Sequence, residues 1–478
     1  MGTKASIIWF RLDLRLDDNP ALRAAIERGG PVIPLYIWTP KEEDGWTPGG
    51  ASRWWLHHSL LALDAALQRH GSRLIVRHGA TQKELAAVVR TARAGAAFWN
   101  RRHEPAARRQ EESVAARLRE LGVDCHEFNG NLLMDPALVT NRQGGPFRVY
   151  SAFWRSCGAT ASPPEPVPCP KRIPAPQRWP RSLAIERLGL LPRPDWAAGL
   201  RDAWTPGAPG ATRLLDQVCG GTIENYATDR DRPGITGTSR LSPHLHFGEI
   251  SVREVWHMVS AKPAAAGSGL ETFLKQLFWR EFGHHLLYHF PHTTDLPLRE
   301  DFAAFPWRSD DAQLRSWQRG ETGYPLVDAG MRELWTTGWM HNRVRMVVAS
   351  LLVKHLLIPW QEGARWFWDT LVDADLSNNT LGWQWTAGCG ADAAPYFRIF
   401  NPVAQGERFD PNGAYVRRWI PELAALPPKW IHKPWQAPAA VLSDANVALG
   451  RNYPHPIVDH AEARARALAA YAQMRRDR

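Results

Sequence analysis

Short apolar runs separated by longer amphipathic stretches alternate through residue 130. Ile7-Ile8-Trp9-Phe10, Val32 to Ile37, Leu74-Ile75-Val76, Ala96 to Trp99 and Val123 to Phe128 have the length and apolar character of buried strands. Three-and-four spacing between them predicts helices near 19–28, 51–70, 81–93 and 104–121. Asp18-Asn19-Pro20 offers cap residues and a first-turn proline for the first helix, and Thr81 is the cap expected for the third. Strands alternating with helices imply right-handed crossovers and a parallel sheet covered on both faces. The reading is an α/β N-terminal domain, a doubly wound parallel sheet, over 1–135. It holds neither GxGxxG nor GxxxxGK[ST], so no dinucleotide or P-loop fingerprint supports nucleotide binding there.

The pattern then changes. Ser162-Pro163-Pro164-Glu165-Pro166-Val167-Pro168-Cys169-Pro170 opens a proline-rich stretch of weak periodicity that runs past Trp204-Thr205-Pro206-Gly207. Such a segment lies semi-extended over a surface, and 136–212 is expected to be an interdomain connector. Beyond it, Val344, Val347, Val348, Leu351 and Leu352 recur at helical spacing, as do Leu274, Leu277, Phe278 and Phe282. Residues 213–478 therefore read as a mainly α-helical C-terminal domain, with polar loops expected at 228–243, 373–382 and 386–395. Helices punctuated by polar loops suit a cofactor cavity.

Composition narrows the class. With 478 residues, 44% hydrophobic and 22% charged, the chain is long enough for two to four domains and is not disordered. No apolar run reaches the ~18–20 residues of a membrane span, and the N-terminus lacks signal-peptide architecture, so no membrane partner is expected. Five cysteines without a CxxC pair point to a reducing cytoplasm rather than a disulfide scaffold or structural zinc. The net charge of +10 suits a polyanionic partner, or simply a soluble basic protein. Tryptophan is the unusual residue: 24 of them exceed the 16 Phe and 9 Tyr, and nine fall between Trp307 and Trp385. Trp normally serves cores and interfaces, but this density invites ring stacking, base stacking or electron transfer.

Four segments carry candidate chemistry. In Gly237-Thr238-Ser239-Arg240-Leu241-Ser242-Pro243, Ser242 before proline reads as a helix N-cap preceded by hydroxyls and an arginine. That is a phosphate cradle or a simple capped turn. In 273–282, Gln276 and Arg280 stand four apart beside Trp279, a face suited to a planar hydrogen-bonding ligand or to solvent. In Trp339-Met340-His341-Asn342-Arg343-Val344-Arg345-Met346, the valines fix the buried face, leaving Asn342 and Met346 as an i, i+4 pair flanked by arginines able to meet phosphates or carboxylates. Asp373-Ala374-Asp375-Leu376-Ser377-Asn378-Asn379 runs into Trp383-Gln384-Trp385. It lacks the Gly and bidentate Glu of an EF-hand, so its carboxylates are better read as facing a heterocycle's N–H groups or Arg345 than a metal.

In combination these segments, with Trp9-Phe10-Arg11 through Asp18-Asn19-Pro20, Gly323-Tyr324-Pro325 and the 393–402 run ending Arg398-Ile399-Phe400-Asn401-Pro402, resemble the photolyase/cryptochrome family. The resemblance covers nearly the whole chain and is densest from 226 to 402. It implies an α/β domain that hosts an antenna pigment and a helical domain that binds FAD. By that resemblance, Tyr226, Thr238, Ser239, Arg240, Leu241 and Ser242 lie at the flavin's phosphates and ribitol. Arg280, Arg345, Asp373 and Asp375 surround the flavin, with Asp373 and Arg345 an expected ion pair, and Asn379 faces flavin N5. An Asn there resembles photolyases, whereas plant-type cryptochromes carry Asp.

Gln276, Trp279, Asn342, Arg343, Met346 and Trp385 match positions facing a DNA lesion, with Arg230 and Arg343 toward phosphates. Trp307, Trp360 and Trp383 match an electron-hopping chain from surface to flavin. One position departs: cyclobutane-dimer photolyases usually carry Glu where this chain has Gln276, and relatives acting on the pyrimidine–pyrimidone lesion often carry Gln. Met346, however, matches the dimer enzymes. The resemblance therefore implies a monomeric deoxyribodipyrimidine photolyase acting on ultraviolet-damaged DNA with fully reduced FAD. A cryptochrome-type blue-light sensor is the alternative, disfavoured by the absence of a long tail after Ile457-Val458-Asp459-His460. Trp99-Asn100-Arg101-Arg102-His103-Glu104-Pro105 lies where antenna contacts occur, leaving a folate, a deazaflavin or an empty site open.

Overall fold

Five parallel strands, β1 (Ser6–Phe10), β2 (Val32–Trp38), β3 (Ile75–His78), β4 (Ala96–Asn100) and β5 (Asp124–Phe128), form one sheet in the order β3-β2-β1-β4-β5. They belong to a computed structural model describing residues 3–158, 161–261, 267–393 and 395–476, so Ala394 of the 393–402 motif lies outside the described residues. In register, Trp9 sits beside Leu35 and Ile8 beside Phe98. Helices α1 (Pro20–Glu27), α2 (Gly50–Arg69), α3 (Thr81–Ala92) and α4 (Pro105–Glu120) make the crossovers. Ile7, Trp9, Ile33, Leu35, Ile75, Val88, Val114 and Leu118 form a core on one face of the sheet, each large side chain contributing about 1.5–3 kcal/mol on burial.

Local chemistry explains the boundaries. Asn19 caps α1, its side-chain oxygen accepting from Leu22 N at 3.1 Å, with Pro20 in the first turn. Thr81, expected as the cap of α3, is instead its first residue: Ala80 takes the cap position, and the Thr81 amide and hydroxyl both donate to Glu42, at 3.0 and 2.7 Å. The expectation that 123–128 forms a buried strand also fails, because Asp124, His126 and Glu127 are exposed. β5 is an edge strand, and an edge can leave one face in water where an inner strand cannot. The opposite edge is covered by the connector: Val76 N donates to Ser182 Oγ and Leu183 N to Val76 O, both at 2.9 Å.

The chain divides into two compact units. The first comprises Met1–Ile223, Ser239–Pro291 and Val372–Asp375. Besides the sheet it contains short helices at Tyr150–Phe153, Ala198–Ala203 and Ala208–Gln217, then Ser242–His246, Val252–Ser260 and the long helix Gly267–His289. Asp18, in left-handed conformation at φ 43°, ties this unit together: its carboxylate accepts from Arg253 Nε at 2.9 Å, Arg253 Nη2 at 2.8 Å and Val167 N at 2.9 Å.

The second unit comprises Glu224–Thr238, His292–Leu371 and Leu376–Arg478 and is helical, with one isolated bridge, Leu449 to Tyr453, among the described residues. Val344, Val347, Val348, Leu351 and Leu352 are all fully buried. The loop expected over 373–382 is a correction: Leu376–Ala387 is helix despite two asparagines and a glycine. It packs along Trp360–Thr370, and tertiary burial of Leu376, Thr380 and Trp383 overrides weak local propensity. No helix among the described residues is long and apolar enough to cross a membrane.

Candidate functional site

In the first unit, Ser242 does not cap a helix as expected. Leu241 occupies the cap position without a side-chain bond, and Ser242 is already inside a five-residue helix with Pro243 behind it. Its hydroxyl instead donates to Asp373 Oδ2 at 2.6 Å. Arg240, left-handed at φ 54°, lays its guanidinium over the Trp204 ring at 4.2 Å, and Leu241 N donates to Ser239 Oγ at 3.4 Å. The segment is then anchored by buried Glu249, whose carboxylate accepts from Trp55 Nε1 at 3.0 Å and Gly207 N at 2.7 Å and bonds the Ser59 hydroxyl and the His244 ring.

Asp375, two residues on from Asp373, lies 3.5 Å from His246 Nδ1 and 3.5 Å from His284 Nε2. Burial alone would raise its carboxyl, but His284 and His246 hold it well below the usual 3.8. Nothing in the sequence marks these two histidines as partners, because they lie 129 and 91 positions away (375 − 246 and 375 − 284).

The helix Gly267–His289 carries the second group of this unit. Gln276 is tied back through Nε2 to Thr272 O at 3.2 Å, a bond that uses one of its two amide N–H groups and leaves its carbonyl oxygen an acceptor. Arg280 donates from Nη1 to Asn131 O at 2.9 Å and sits 3.6 Å from Glu281. Trp279 is half-buried and stacks on Tyr150, ring centroids 3.7 Å apart and planes 8° from parallel. Tyr150 was not singled out from the sequence, where nothing marks a contact spanning 129 residues (279 − 150).

The second unit holds the remaining candidates. Gly237 is required where it stands, since a Cβ would come within 2.3 Å of Asp229 O, and Thr238 follows half-buried. Tyr226 is buried beneath Arg230, whose guanidinium lies 5.8 Å from its ring centroid. Arg343 Nη2 pairs with Asp231 at 2.8 Å and its guanidinium covers Phe409 at 4.4 Å, so its charge already has a partner within the protein. Asn342 is exposed at the start of the Asn342–Ser350 helix, with Met346 half-buried one turn on. That helix is capped by His341, whose Nδ1 accepts from Arg343 N at 3.2 Å. Burial lowers the His341 ring to about 4, which keeps that nitrogen free to accept. Arg345 donates from Nε to Met340 O at 2.7 Å.

Asn379 donates from Nδ2 to Ala364 O at 3.0 Å, leaving its carbonyl oxygen as acceptor. Trp383 and Trp360 are buried, while Trp307 is half-exposed beside Phe305, at 4.5 Å between rings. Trp383 meets Phe367 at 5.0 Å and Trp317 at 6.1 Å, both edge-on. Gly363, one turn after Trp360, makes room for it: a Cβ there would lie 2.0 Å from the Trp383 ring. Trp385 stays half-exposed, whereas Gln384 between them is spent on structure, donating to Thr293 O and Leu296 O and accepting from Leu298 N. Among the described residues, no group of three His, Cys, Asp or Glu side chains is placed to hold a metal.

Two family models match. Residues 6–171 match DNA photolyase, and residues 273–473 match the FAD binding domain of DNA photolyase. Deoxyribodipyrimidine photo-lyase of Agrobacterium fabrum is 48% identical over 100% of this chain and 99% of its own length. Cryptochrome-1 of Arabidopsis thaliana is 43% identical over 98% of this chain and 70% of its own length. Among solved structures, a bacterial class III photolyase from Agrobacterium tumefaciens superposes with a TM-score of 0.96 at 48% identity, covering 100% of this chain and 98% of that one.

Proposed function

The chain belongs to the DNA photolyase family, and on that premise we propose that it is a deoxyribodipyrimidine photo-lyase that splits cyclobutane pyrimidine dimers in ultraviolet-damaged DNA under light. FAD is the cofactor, and when bound in its reduced form it supplies the electron that opens the dimer and takes that electron back. The chain's residues suit that group. Ser242, Asp373 and Asp375 offer a hydroxyl and two buried carboxylates for the many polar atoms of a flavin dinucleotide, and Asn379, bound through Nδ2 to Ala364 O, has a carbonyl oxygen fit to accept from a ring N–H. By the resemblance, Tyr226, Thr238, Ser239, Arg240 and Leu241 join Ser242 at the phosphates and ribitol, and Arg280 and Arg345 flank the ring. Trp383, Trp360 and Trp307 form the electron route. No residue acts as a nucleophile; the protein binds, orients and tunes.

The observation that carries the choice of lesion is the Gln276 amide. One of its two amide N–H groups goes to Thr272 O, and its carbonyl oxygen is an acceptor for a pyrimidine N–H, as a carboxylate at this position would be. Trp279 and Trp385, both half-exposed, supply aromatic plates for an extruded dinucleotide, and Met346 packs softly beside a ring. A lesion already stacks poorly, which lowers the cost of extrusion, and photolyases are base-flipping enzymes. Asn342, exposed, is a further amide for the pyrimidine edge, and Arg230 and Arg343 serve the flanking phosphates. Asn379 favours repair over light sensing, and a monomer acts alone.

The test is illumination of chemically reduced protein with duplexes carrying one defined lesion, followed by chromatography of the digested product. Restored thymines from the cyclobutane duplex are expected. An untouched cyclobutane duplex alongside repair of the pyrimidine–pyrimidone duplex would move the assignment to the other lesion.

A further inference from the structure

We infer that Tyr150 is a positioning residue for lesion recognition: the buried back plate that fixes the Trp279 ring. This deepens the proposed function and rests on Trp279 facing the lesion. The two rings are almost parallel, 8° apart, with centroids 3.7 Å apart, so the phenol lies stacked against one face of the indole. Their exposures differ: Tyr150 is 8% exposed, while Trp279 is half-buried. A buried ring beneath a partly exposed one sets the orientation of the outer ring before any ligand arrives.

Tyr150 is itself held from several sides. Its hydroxyl donates to Lys275 O at 2.7 Å, one turn before Trp279 on the same helix, and its ring meets Phe282 edge-on at 5.8 Å. Phe282 also meets Trp279 edge-on, at 5.9 Å, closing a three-ring group. The backbone leading to Tyr150 is pinned to the same helix, because Phe147 N donates to His285 Nε2 at 2.9 Å. The indole therefore cannot rotate without breaking a stack seated on a fixed backbone. A plate locked in advance spends less conformational entropy when a base lands on it, so the lock appears as affinity for extruded bases and not as affinity for intact duplex.

The experiment measures dissociation constants for a cyclobutane-dimer duplex and an undamaged duplex of the same sequence, with FAD content and thermal unfolding as folding checks. The variants are Trp279→Ala, Tyr150→Leu, Tyr150→Ala and Tyr150→Phe, with Tyr150→Leu carrying the test should Tyr150→Ala fail to fold. Tyr150→Leu, which keeps bulk and removes the stack, is expected to weaken dimer binding about tenfold, within the range one base–aromatic stack contributes. Affinity for undamaged duplex and turnover at saturating damaged DNA should not change, and Tyr150→Phe should restore dimer affinity to within about twofold. If Trp279→Ala weakens dimer binding while Tyr150→Leu does not, the inference is wrong and the lesion-facing reading stands. If Trp279→Ala leaves dimer affinity intact, that reading falls and takes the inference with it. An equal loss on both duplexes in Tyr150→Leu would also overturn the positioning role.

Discussion

The Ser242 hydroxyl donates to the Asp373 carboxylate at 2.6 Å across 131 residues of sequence. This bond joins the hydroxyl-rich segment after Gly237 to the start of the Asp373–Trp385 segment, two stretches the sequence marks separately. Both residues are matched to flavin contacts by the family resemblance, so their mutual bond sets where each polar group points before a ligand binds.

The protein is expected to carry noncovalent FAD near one per chain, and Ser242→Ala to weaken its uptake. Removing one hydroxyl from a buried carboxylate costs about 1–3 kcal/mol, which, where the loss falls on the flavin-bound state, is roughly a five- to 150-fold rise in the dissociation constant. Flavin released on denaturation and fluorescence titration of the apoprotein read this directly. A wild-type protein that neither contains nor takes up FAD would refute the cofactor assignment.

Binding to damaged DNA should weaken steeply with salt, given the net charge of +10 and the arginines near Asn342. Gln276→Glu should keep or improve dimer repair, since it exchanges one oxygen acceptor for another. Loss of dimer repair in that variant, with activity kept on pyrimidine–pyrimidone duplex, would identify the amide N–H₂ as the working group and move the assignment to the other lesion.

Acid should destabilise the fold through its buried histidines. Burial first lowers His285, His341 and His355 to about 4 each, from an ordinary 6.5; His289 and His460 add to this at His285 and His355, while Asp231 opposes it at His341. Between these pH values the unfolded chain binds the protons and the folded chain does not, so stability present above pH 6.5 falls as the pH drops toward 4. The gap between 6.5 and about 4 is worth roughly 3 kcal/mol per ring. His285 shows why: its Nε2 accepts from Phe147 N, and a protonated ring cannot. Urea unfolding at pH 7 and pH 4.5 checks the slope, and His341→Asn, which keeps a cap acceptor without a titrating ring, should flatten it. Equal midpoints at both pH values would contradict the burial argument.

Gly363→Ala should destabilise despite the better helix propensity of alanine. The new methyl would sit 2.0 Å from the Trp383 ring, and overpacking of this kind costs about 1–3 kcal/mol, more than the ~1 kcal/mol that alanine gains in a helix. A melting temperature equal to or above wild type would show that the indole can step aside.

The sheet was legible because buried parallel strands leave continuous apolar runs: Ile7 to Phe10 and Val32 to Ile37 are as buried as the pattern requires. β5 was misread because an edge strand follows a different rule, and edge position is a property of topology rather than of the run itself. The functional segments were legible where they are local, as in Trp279 beside Gln276 on one helix. They were illegible where the partner is distant: Tyr150 under Trp279, His246 and His284 around Asp375. The helix at Leu376–Ala387 was hidden for a related reason, since Asn378, Asn379 and Gly382 disfavour it locally and packing against the Trp360–Thr370 helix decides.

Trp383→Phe should separate supply of the electron from its use. Trp383 and Trp360 are both buried and Trp307 is half-exposed, so the matched route ends on the residue that reaches solvent, as an outward relay requires. Oxidised flavin must draw an electron from an external reductant along such a route, whereas flavin already reduced needs no supply. Phenylalanine keeps most of the ring that packs against Gly363, Phe367 and Trp317 but is far harder to oxidise, so the core penalty should stay within a few kcal/mol. The variant is therefore expected to lose light-driven reduction of its FAD while chemically reduced variant still repairs DNA. Transient absorption supplies a second readout, the tryptophan radical, which should disappear. An undiminished radical in Trp383→Phe would remove Trp383 from the route, leaving it the core role that its burial alone would explain.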